Sequence, residues 1–261
     1  MRNRLVSAAL LGALTLFSIA AAQAADALDI IMQQKNLRVA VPVDYPPYGF
    51  VGASMQPQGV DIDVAQLLGE KLGVKVTLIP VTGPNRVPYL QTSKADMTIS
   101  SLGKTAERAK VIDYSIAYAP FFDAVFGREA VKAGNFDQLA DKSVAVTRGS
   151  MQDEELSRLA PKAQAKRFED NNSTISAFLS GQTDLVAIGT TVAGALKQKN
   201  PNLDLHLKVI LSNAPCYVGL PKGNPALVAK VNEILRAAKA DGTLDKISQK
   251  WLGAPAGDLP E

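Results

Sequence analysis

The sequence predicts an α/β fold, because strand-like and helix-like stretches alternate with short connections in both halves of the chain. In the first half, residues 37–41 alternate like a strand, and apolar residues recur at helical spacing over residues 62–72. Asp61 is expected to cap this helix and Gly73 to end it, directly before a second strand at residues 74–79. A strand, a helix and a strand joined this closely indicate parallel pairing in a layered sheet.

The second half repeats this alternation. Its predicted strands are residues 144–147, 165–168 and 184–188. The first leads to a helix start at Gly149-Ser150, and the last leads through Gly189 to a helix capped by Thr190 or Thr191. Because open α/β sheets bind ligands at the carboxyl ends of their strands, the helix starts of the two halves are expected to face a common cleft.

Other segments complete the predicted architecture. Residues 42–50 contain three prolines, which exclude a helix or a central strand and favour an ordered loop carrying aromatic side chains. The last two amphipathic segments, residues 224–239 and 242–251, are predicted to be helices that pack back onto the first half.

The N-terminus predicts export. Arg2 and Arg4 precede an apolar run over residues 5–22, and Ala22-Gln23-Ala24 is a small-x-small cleavage site. These features are typical of a secretory signal peptide over residues 1–24, so the mature protein is expected to be exported. Cleavage leaves 237 of 261 residues and removes two of the 28 bases, so 26 bases face 25 acids. A net charge of +1 favours no polyanion, and no nucleic acid partner is expected.

Residues that hold transition metals are scarce. Cys216 is the only cysteine and His206 the only histidine in the sequence. A lone cysteine excludes an intramolecular disulfide, and its apolar neighbours favour a buried side chain over a reactive thiol. Without a cluster at ligand spacing, neither a metal site nor a cofactor is expected, and no catalytic set is recognised.

The chemically most suggestive segment runs from Ser100 to Arg108. A short apolar stretch leads into two serines, a turn at Gly103 and a helix that Thr105 can cap. Two hydroxyls, the backbone N–H groups of a helix start and a guanidinium that can bind both oxygens of a carboxylate converge there. The segment predicts a carboxylate-binding seat. The alternative is a solvated capping turn in which Arg108 pairs with a neighbouring acid.

Motifs spread over the mature chain carry a resemblance to a known family. They are residues 59–65 (Gly-Val-Asp-Ile-Asp-Val-Ala), 85–90, 100–108, 113–115, 144–150, 241–244 and 251–253. Together they resemble family 3 of the bacterial extracellular solute-binding proteins, the periplasmic polar amino-acid receptors of ABC importers. The similarity covers essentially the whole mature chain.

The resemblance implies a two-lobed periplasmic-binding-protein fold of type II, in which two α/β lobes are joined by a two-strand hinge. Lobe 1 would comprise residues 25–124 and 218–261, and lobe 2 residues 125–217. The implied partners are a small-molecule ligand, an amino acid or related carboxylate, and the membrane subunits of an ABC transporter. The receptor itself is expected to be a monomer.

The resemblance also implies the ligand contacts. Arg108 matches the arginine that clamps the ligand α-carboxylate, and Tyr45 matches an aromatic that covers the ligand, with packing on the adjacent prolines as its alternative. A second aromatic of the family corresponds to Gly83, so that face is expected to be open or differently filled. The ligand-binding residues predicted in this way are Tyr45, Arg86, Ser100, Ser101, Gly103, Arg108, Gly149, Ser150, Gly189 and Thr190.

Arg86 bears on the choice of ligand. The pair Asn85-Arg86, with Leu90 four residues after the arginine, resembles the acidic amino-acid branch of the family, where an arginine holds the side-chain carboxylate. Two arginines would then hold two carboxylates. The alternative is an Arg86 that reaches solvent or pairs with a surface acid.

Gly189 departs from the family pattern, which places an aspartate there for the ligand α-ammonium. Thr190, Asn171, Asn172 or Glu169 are possible substitutes, but none occupies the matching position. The sequence therefore predicts loose recognition of the ammonium group. That prediction keeps a ligand without a free α-amine, an opine or a dicarboxylate, as an alternative to a polar or acidic amino acid.

The leading hypothesis is a non-enzymatic receptor. Some dehydratases resemble this family, and such chemistry needs a positioned general acid. The helix start at residues 190–195 offers no acid or histidine, so catalysis on the same fold is the less favoured alternative.

Overall fold

Two five-stranded sheets organise the chain in the computed structural model, which describes residues 26–261. The predicted signal peptide lies outside the described residues. The strands are β1 Asn36–Val41, β2 Asp44–Tyr45, β3 Gly49–Val51, β4 Pro57–Gln58, β5 Lys75–Pro80, β6 Met97–Thr98, β7 Ile112–Ala119, β8 Phe122–Gly127, β9 Ser143–Thr147, β10 Gln164–Phe168, β11 Leu185–Gly189, β12 His206–Asn213 and β13 Cys216–Pro221. The helices are α1 Ala27–Gln34, α2 Val60–Leu72, α3 Arg86–Gln91, α4 Ala106–Ala109, α5 Met151–Leu159, α6 Asn171–Leu179, α7 Thr190–Lys199, α8 Pro225–Ala240 and α9 Thr243–Leu252.

The sheet order confirms the predicted α/β class. The first sheet runs β5-β1-β6-β13-β7 and the second β10-β9-β11-β8-β12. Strand β1 is parallel to β5 and β6, and β9 is parallel to β10 and β11, as the βαβ pattern predicts. Strands β13 and β8 each run antiparallel to their neighbours, and they are the strands by which the chain enters each sheet from the other one.

The chain crosses between the sheets twice. Strand β7 ends at Ala119 in the first sheet and β8 begins at Phe122 in the second; β12 ends at Asn213 and β13 begins at Cys216 back in the first. The lobe boundaries expected from the sequence, after residues 124 and 217, fall inside β8 and β13. Both crossings therefore lie a few residues earlier in the chain than that division places them.

Three local predictions are wrong. Gly189 occupies the N-cap position of helix α7, and no threonine side chain caps that helix. Asp61 does not cap α2: it lies in the first turn after the cap residue Gly59 and is fully buried. The proline-rich segment is not loop throughout, since β2, β3 and β4 form a small antiparallel sheet.

The C-terminal helices complete the first lobe. Val231 of α8 and Leu244 of α9 are buried in the same core cluster as Leu68 of α2 and Val39 of β1. Replacing a fully buried leucine of α8, such as Leu235, by alanine costs about 2–5 kcal/mol of stability, so this helix is integral to the lobe. Cys216 is buried, as predicted. Within residues 26–261, no helix combines the length and the apolar character that a membrane crossing requires.

Candidate functional site

A cavity lies between the two lobes where the carboxyl ends of their strands meet. Six of the ten predicted site residues line it: Tyr45, Arg86, Ser100, Ser101, Gly103 and Ser150. Arg108 and Gly149 lie beside it, in an adjoining pocket to which Arg86 also belongs. Gly189 and Thr190 line neither of these two pockets. The cavity wall also includes Phe121, Asp123, Met151, Gln152 and Asn171.

A hydrogen bond to the buried Asp61 carboxylate fixes the turn between β6 and α4. Ser101 adopts a left-handed backbone conformation, with φ of 40°, which is uncommon for a residue other than glycine. Its backbone N–H donates to the Asp61 carboxylate at 2.8 Å, and the other carboxylate oxygen accepts the Tyr118 hydroxyl at 2.6 Å. Thr105 caps α4 as predicted, since its hydroxyl accepts the backbone N–H of Arg108 at 3.2 Å. Asp61 thus fixes the shape of the turn without entering the cavity.

Burial governs the charge of Asp61. Loss of hydration raises the pKa of its carboxyl to about 7, although the bonds from Tyr118 and Ser101 and the nearby charge of Arg86 oppose this rise. The positioning of Ser101 therefore depends on a carboxyl group that titrates near neutral pH.

Arg86 is buried at the start of α3, with 8 % of its surface exposed. Its guanidinium donates to three backbone carbonyls, those of Ser100 at 2.9 Å, Gly83 at 3.2 Å and Gly149 of the second lobe at 3.3 Å. Burial and the nearby charge of Arg108 lower the pKa of Arg86 to about 10. Neither contact with solvent nor pairing with a surface acid, its alternatives in the sequence, describes this side chain.

Arg108 is also buried, and its donors face acceptors of both lobes. One nitrogen donates to the Gly103 carbonyl at 2.8 Å, and another donates to the Gly149 carbonyl at 3.0 Å and to Glu154 at 2.7 Å. The Gly149 carbonyl therefore accepts hydrogen bonds from both arginines of the first lobe. Pairing with an acid, the alternative role for Arg108 in the sequence, occurs here with Glu154 of the opposite lobe.

The helix start of the second lobe is internally satisfied. Ser150 caps α5 by accepting the backbone N–H of Asp153 at 3.2 Å, and the backbone N–H of Gly149 donates to the Asp153 carboxylate at 3.1 Å. Gly149 has a φ of 66°, a conformation that glycine adopts without strain. In this lobe arrangement Gly149 offers a carbonyl to the first lobe, and its N–H is already engaged.

Tyr45 joins the lobes directly. Its hydroxyl accepts the backbone N–H of Gly189 at 3.0 Å and the side-chain amide of Gln152 at 3.2 Å, and its ring stacks near Phe121 with centroids 6.3 Å apart. Burial raises the pKa of its phenol, so the hydroxyl stays protonated.

Asp44, the residue before Tyr45, makes a second link. Its two carboxylate oxygens accept the backbone N–H and the side-chain amide of Asn171 at 2.8 and 2.9 Å. Asn171 is thereby occupied, as is Glu169, which pairs with Arg148 at 2.7 Å. The lobes are closed on one another.

Glycines permit the closest approaches in the cleft. A Cβ at Gly103 would lie 2.6 Å from Cγ of Met151, and one at Gly83 would lie 3.0 Å from the Arg148 carbonyl. The face left without an aromatic at Gly83 is therefore filled by backbone of the second lobe. A Cβ at Gly189 would lie 2.6 Å from the Phe121 ring, so this position has no room for an aspartate unless the ring moves.

Sequence reasoning missed Asp123, which lies in the cavity wall and is completely buried. One signal was available: an aspartate interrupts the apolar run Phe121-Phe122-Asp123-Ala124-Val125, and a lone acid in a buried strand is rarely structural without a partner. Gln152 and Glu154 were also missed, because their contacts depend on the lobe arrangement.

Two α/β lobes that close on a polar cleft define a ligand-binding protein of the two-lobed periplasmic class. The chain belongs to the bacterial extracellular solute-binding proteins, family 3, which match residues 37–254. This confirms the family resemblance and the type II fold.

The relatives of the chain include several amino-acid-binding proteins. It is 28% identical to the ABC transporter glutamine-binding protein GlnH of Bacillus subtilis, over 87% of this chain and 85% of that one. It is 27% identical to the L-cystine-binding protein TcyJ of Escherichia coli, over 87% and 86% of the two chains. Among solved structures, an ancestral amino acid-binding protein that is a precursor of cyclohexadienyl dehydratase has a TM-score of 0.78 at 33% identity, over 87% of this chain and all of that one.

Loss of the Asp44 link is expected to weaken the closed form. Asp44→Ala removes both bonds to Asn171, and hydrogen bonds to a charged group contribute about 1.5–3 kcal/mol. Small-angle scattering of the ligand-bound variant should show a larger radius of gyration than the bound wild type, and the ligand should dissociate faster. Asp204→Ala, which removes an exposed carboxylate of the second lobe, is the control. Equal radii and equal dissociation rates would contradict a closing role for Asp44.

Asp61→Ala is expected to lower both stability and ligand affinity. It leaves the Tyr118 hydroxyl and the Ser101 N–H without an acceptor, at about 1–3 kcal/mol for each buried group. Urea unfolding and calorimetric titration measure the two effects. Asp63→Ala is the matched control, because Asp63 lies on the same helix but accepts bonds from Lys250 and Trp251 outside the cleft. The control should lose stability alone; wild-type affinity in Asp61→Ala would show that the turn does not depend on Asp61.

Proposed function

We propose that this protein is the periplasmic receptor of an amino-acid ABC importer and that it binds a polar or acidic amino acid between its lobes. Membership of the family supports the receptor function, and the glutamine- and cystine-binding relatives support an amino acid as the ligand. The predicted signal peptide supports the periplasmic location. The closed, liganded form is the one presented to the membrane subunits of the importer.

The charge of Arg86 carries this proposal. Within residues 26–261, no salt bridge involves Arg86, although its guanidinium is buried against the cavity. A desolvated cation bound only by neutral carbonyls is costly, and an anion in the cavity would remove that cost. A ligand carboxylate is the natural anion for a planar guanidinium beside two serines and the Gly103 turn.

Both arginines are positioned to act together. Their guanidiniums meet at the Gly149 carbonyl, so the two charges lie side by side at the lobe interface. Opening of the cleft breaks both bonds and frees these donors for an entering ligand. We assign the α-carboxylate to Arg108, with Ser101 and the Gly103 N–H beside it, and a side-chain carboxylate or carboxamide to Arg86.

Catalysis is not part of the proposal. Two observations bear on an enzymatic function: the similarity to a precursor of a dehydratase, and the buried acid in the cavity wall. Helix α7 nevertheless begins Thr-Thr-Val-Ala-Gly-Ala and presents no acid or histidine at its start. Prolonged incubation followed by mass spectrometry should return the bound ligand unchanged; a dehydrated or decarboxylated product would replace the receptor function with an enzymatic one.

Arg108→Ala should abolish binding of carboxylate ligands while the protein stays folded. The loss of a charge-assisted contact in a closed site costs about 2–5 kcal/mol of binding free energy. Glu154, the acid partner of Arg108, is partly exposed and can be hydrated in the variant.

A thermal-shift screen of amino acids and dicarboxylates identifies the ligand, since a ligand at 100 times its Kd stabilises by about 2.7 kcal/mol. Calorimetry then compares the wild type with Arg108→Ala and with Arg236→Ala, an exposed arginine far from the cleft. Near-wild-type affinity in a folded Arg108→Ala would remove Arg108 from the site.

Arg86 should set the choice of ligand. In the wild type we expect dicarboxylic amino acids to outrank neutral ones, because a second carboxylate neutralises the buried guanidinium. Arg86→Gln, which keeps much of the side-chain volume, should level this ranking, whereas Arg86→Lys should keep part of it. The same screen on the three proteins is the measurement. A ranking that does not change in Arg86→Gln would show that Arg86 serves the fold and not the ligand.

A further inference from the structure

Asp123 is a buried acid without an adequate partner. It lies on β8 with none of its surface exposed, and it forms part of the cavity wall. One carboxylate oxygen accepts the Ser212 hydroxyl at 3.3 Å, a long hydrogen bond, and the other has no hydrogen-bond partner among residues 26–261. Buried polar atoms are nearly always hydrogen-bonded, so an unbonded carboxylate oxygen beside a cavity indicates a group that is completed by something else.

The environment of Asp123 disfavours its charge. Burial raises the pKa of its carboxyl to about 7 and Glu155 of α5 adds to the rise, while the Ser212 bond and the charges of Arg86 and Arg108 oppose it. Tyr45 of β2 and Cys216 of β13 are titratable groups that also interact electrostatically with Asp123. The fold therefore keeps an acid where ionisation is unfavourable, which is typical of a binding position and not of a structural ion pair.

Strand pairing places Asp123 at the edge of the cleft. Its Cα is paired with Gly189 on β11 on one side and with Ser212 on β12 on the other. Gly189 has no side chain to offer a countercharge, and Phe121 occupies the space in which one would lie. The residues that line the same cavity from the other lobe include Arg86 and the serines of the β6–α4 turn. The cavity is thus lined by an arginine of one lobe and an acid of the other.

We propose that Asp123 binds the ammonium group of the ligand, so that the cavity holds an α-amino acid zwitterion with its carboxylate at the arginine wall. This inference rests on the proposed receptor function and specifies its ligand class. A cationic ammonium supplies hydrogen-bond donors and a positive countercharge, both of which the Asp123 carboxylate needs. The loose ammonium recognition expected from Gly189 is then reversed: a ligand without an amine leaves the carboxylate uncompensated and is rejected.

The test compares amino acids with their desamino analogues. The twenty L-amino acids and the matched desamino acids, such as L-glutamate with glutarate, are titrated into wild type, Asp123→Asn and Asp184→Asn. Asp184 is the control because it lies in the same lobe but binds Ser143 on the surface. We expect the wild type to prefer the best-binding amino acid over its desamino analogue by at least about 100-fold. Asp123→Asn should lose this preference and still bind the analogue.

The outcomes separate the two levels of the proposal. Wild-type protein that binds the desamino acids as tightly as the amino acids, or Asp123→Asn that keeps the preference, overturns the role of Asp123 and leaves a carboxylate receptor standing. A wild type to which no amino acid and no desamino acid binds overturns the proposed function itself. A thermal unfolding scan of each variant shows that it is folded.

The pH dependence gives an independent readout. An ammonium ligand binds the ionised carboxylate and so lowers its pKa, which makes the affinity fall as the pH drops below about 7 and level off above it. Binding at pH 7 should release a proton in the wild type and less in Asp123→Asn. Without ligand, the pKa raised from 3.8 to about 7 lowers the stability of the folded state as the pH rises between these values, and the loss is complete above pH 7. Asp123→Asn should therefore unfold at the same or a higher temperature than the wild type at pH 8. A variant that melts earlier and keeps the pH profile of binding would indicate a structural role.

Discussion

Desolvated charge is the constraint on which the cleft depends. In the closed arrangement Arg86 and Arg108 are buried on one side of the cleft and Asp123 on the other, and within residues 26–261 only Arg108 of the two arginines has an acid partner, the partly exposed Glu154. The folded core tolerates this arrangement because both lobes have large buried clusters that supply the stability. The free-energy cost of removing these charges from water arises at the cleft, where a bound ligand can offset it. Ligand binding is thereby coupled to closure of the lobes.

The closed arrangement also shows what a ligand competes with. The Gly149 carbonyl accepts both arginines, the Tyr45 hydroxyl accepts the Gly189 N–H, and Asp44 accepts two bonds from Asn171. In the arginine bonds only the donor is charged, and in the Tyr45 bond neither group is charged, so both are weaker than a bond between an arginine and a ligand carboxylate, in which both groups are charged. A ligand therefore replaces some of the cross-lobe bonds with stronger ones and keeps the rest as part of the closed interface.

The seat for the ligand is supported by residues that do not touch the cavity. Asp61 holds Ser101 in a left-handed conformation and is itself held by Tyr118, so the geometry of the turn depends on a buried hydrogen-bonded pair. Glycines at positions 83, 103 and 189 let the opposite lobe approach within contact distance. Each lobe thus holds its part of the site in place, and the approach of the lobes completes the site. Side chains that are already fixed by hydrogen bonds lose little conformational entropy on binding.

The sequence by itself determined the α/β class, most helix and strand positions, the family, and the turn from Ser100 to Arg108, because periodicity, caps and short motifs are local signals. It did not determine the partners of buried charges, since these come from strands and lobes far apart in the chain. Only the tertiary structure paired Asp123 with Gly189 across two strands, turned Arg86 inward against carbonyls, and filled the space at Gly189 with the Phe121 ring. From the sequence, the absence of an aspartate at Gly189 predicted loose recognition of the ammonium group. In the folded protein the carboxylate of Asp123 lies on the strand next to Gly189. Strand pairing places residues side by side that are distant in the sequence.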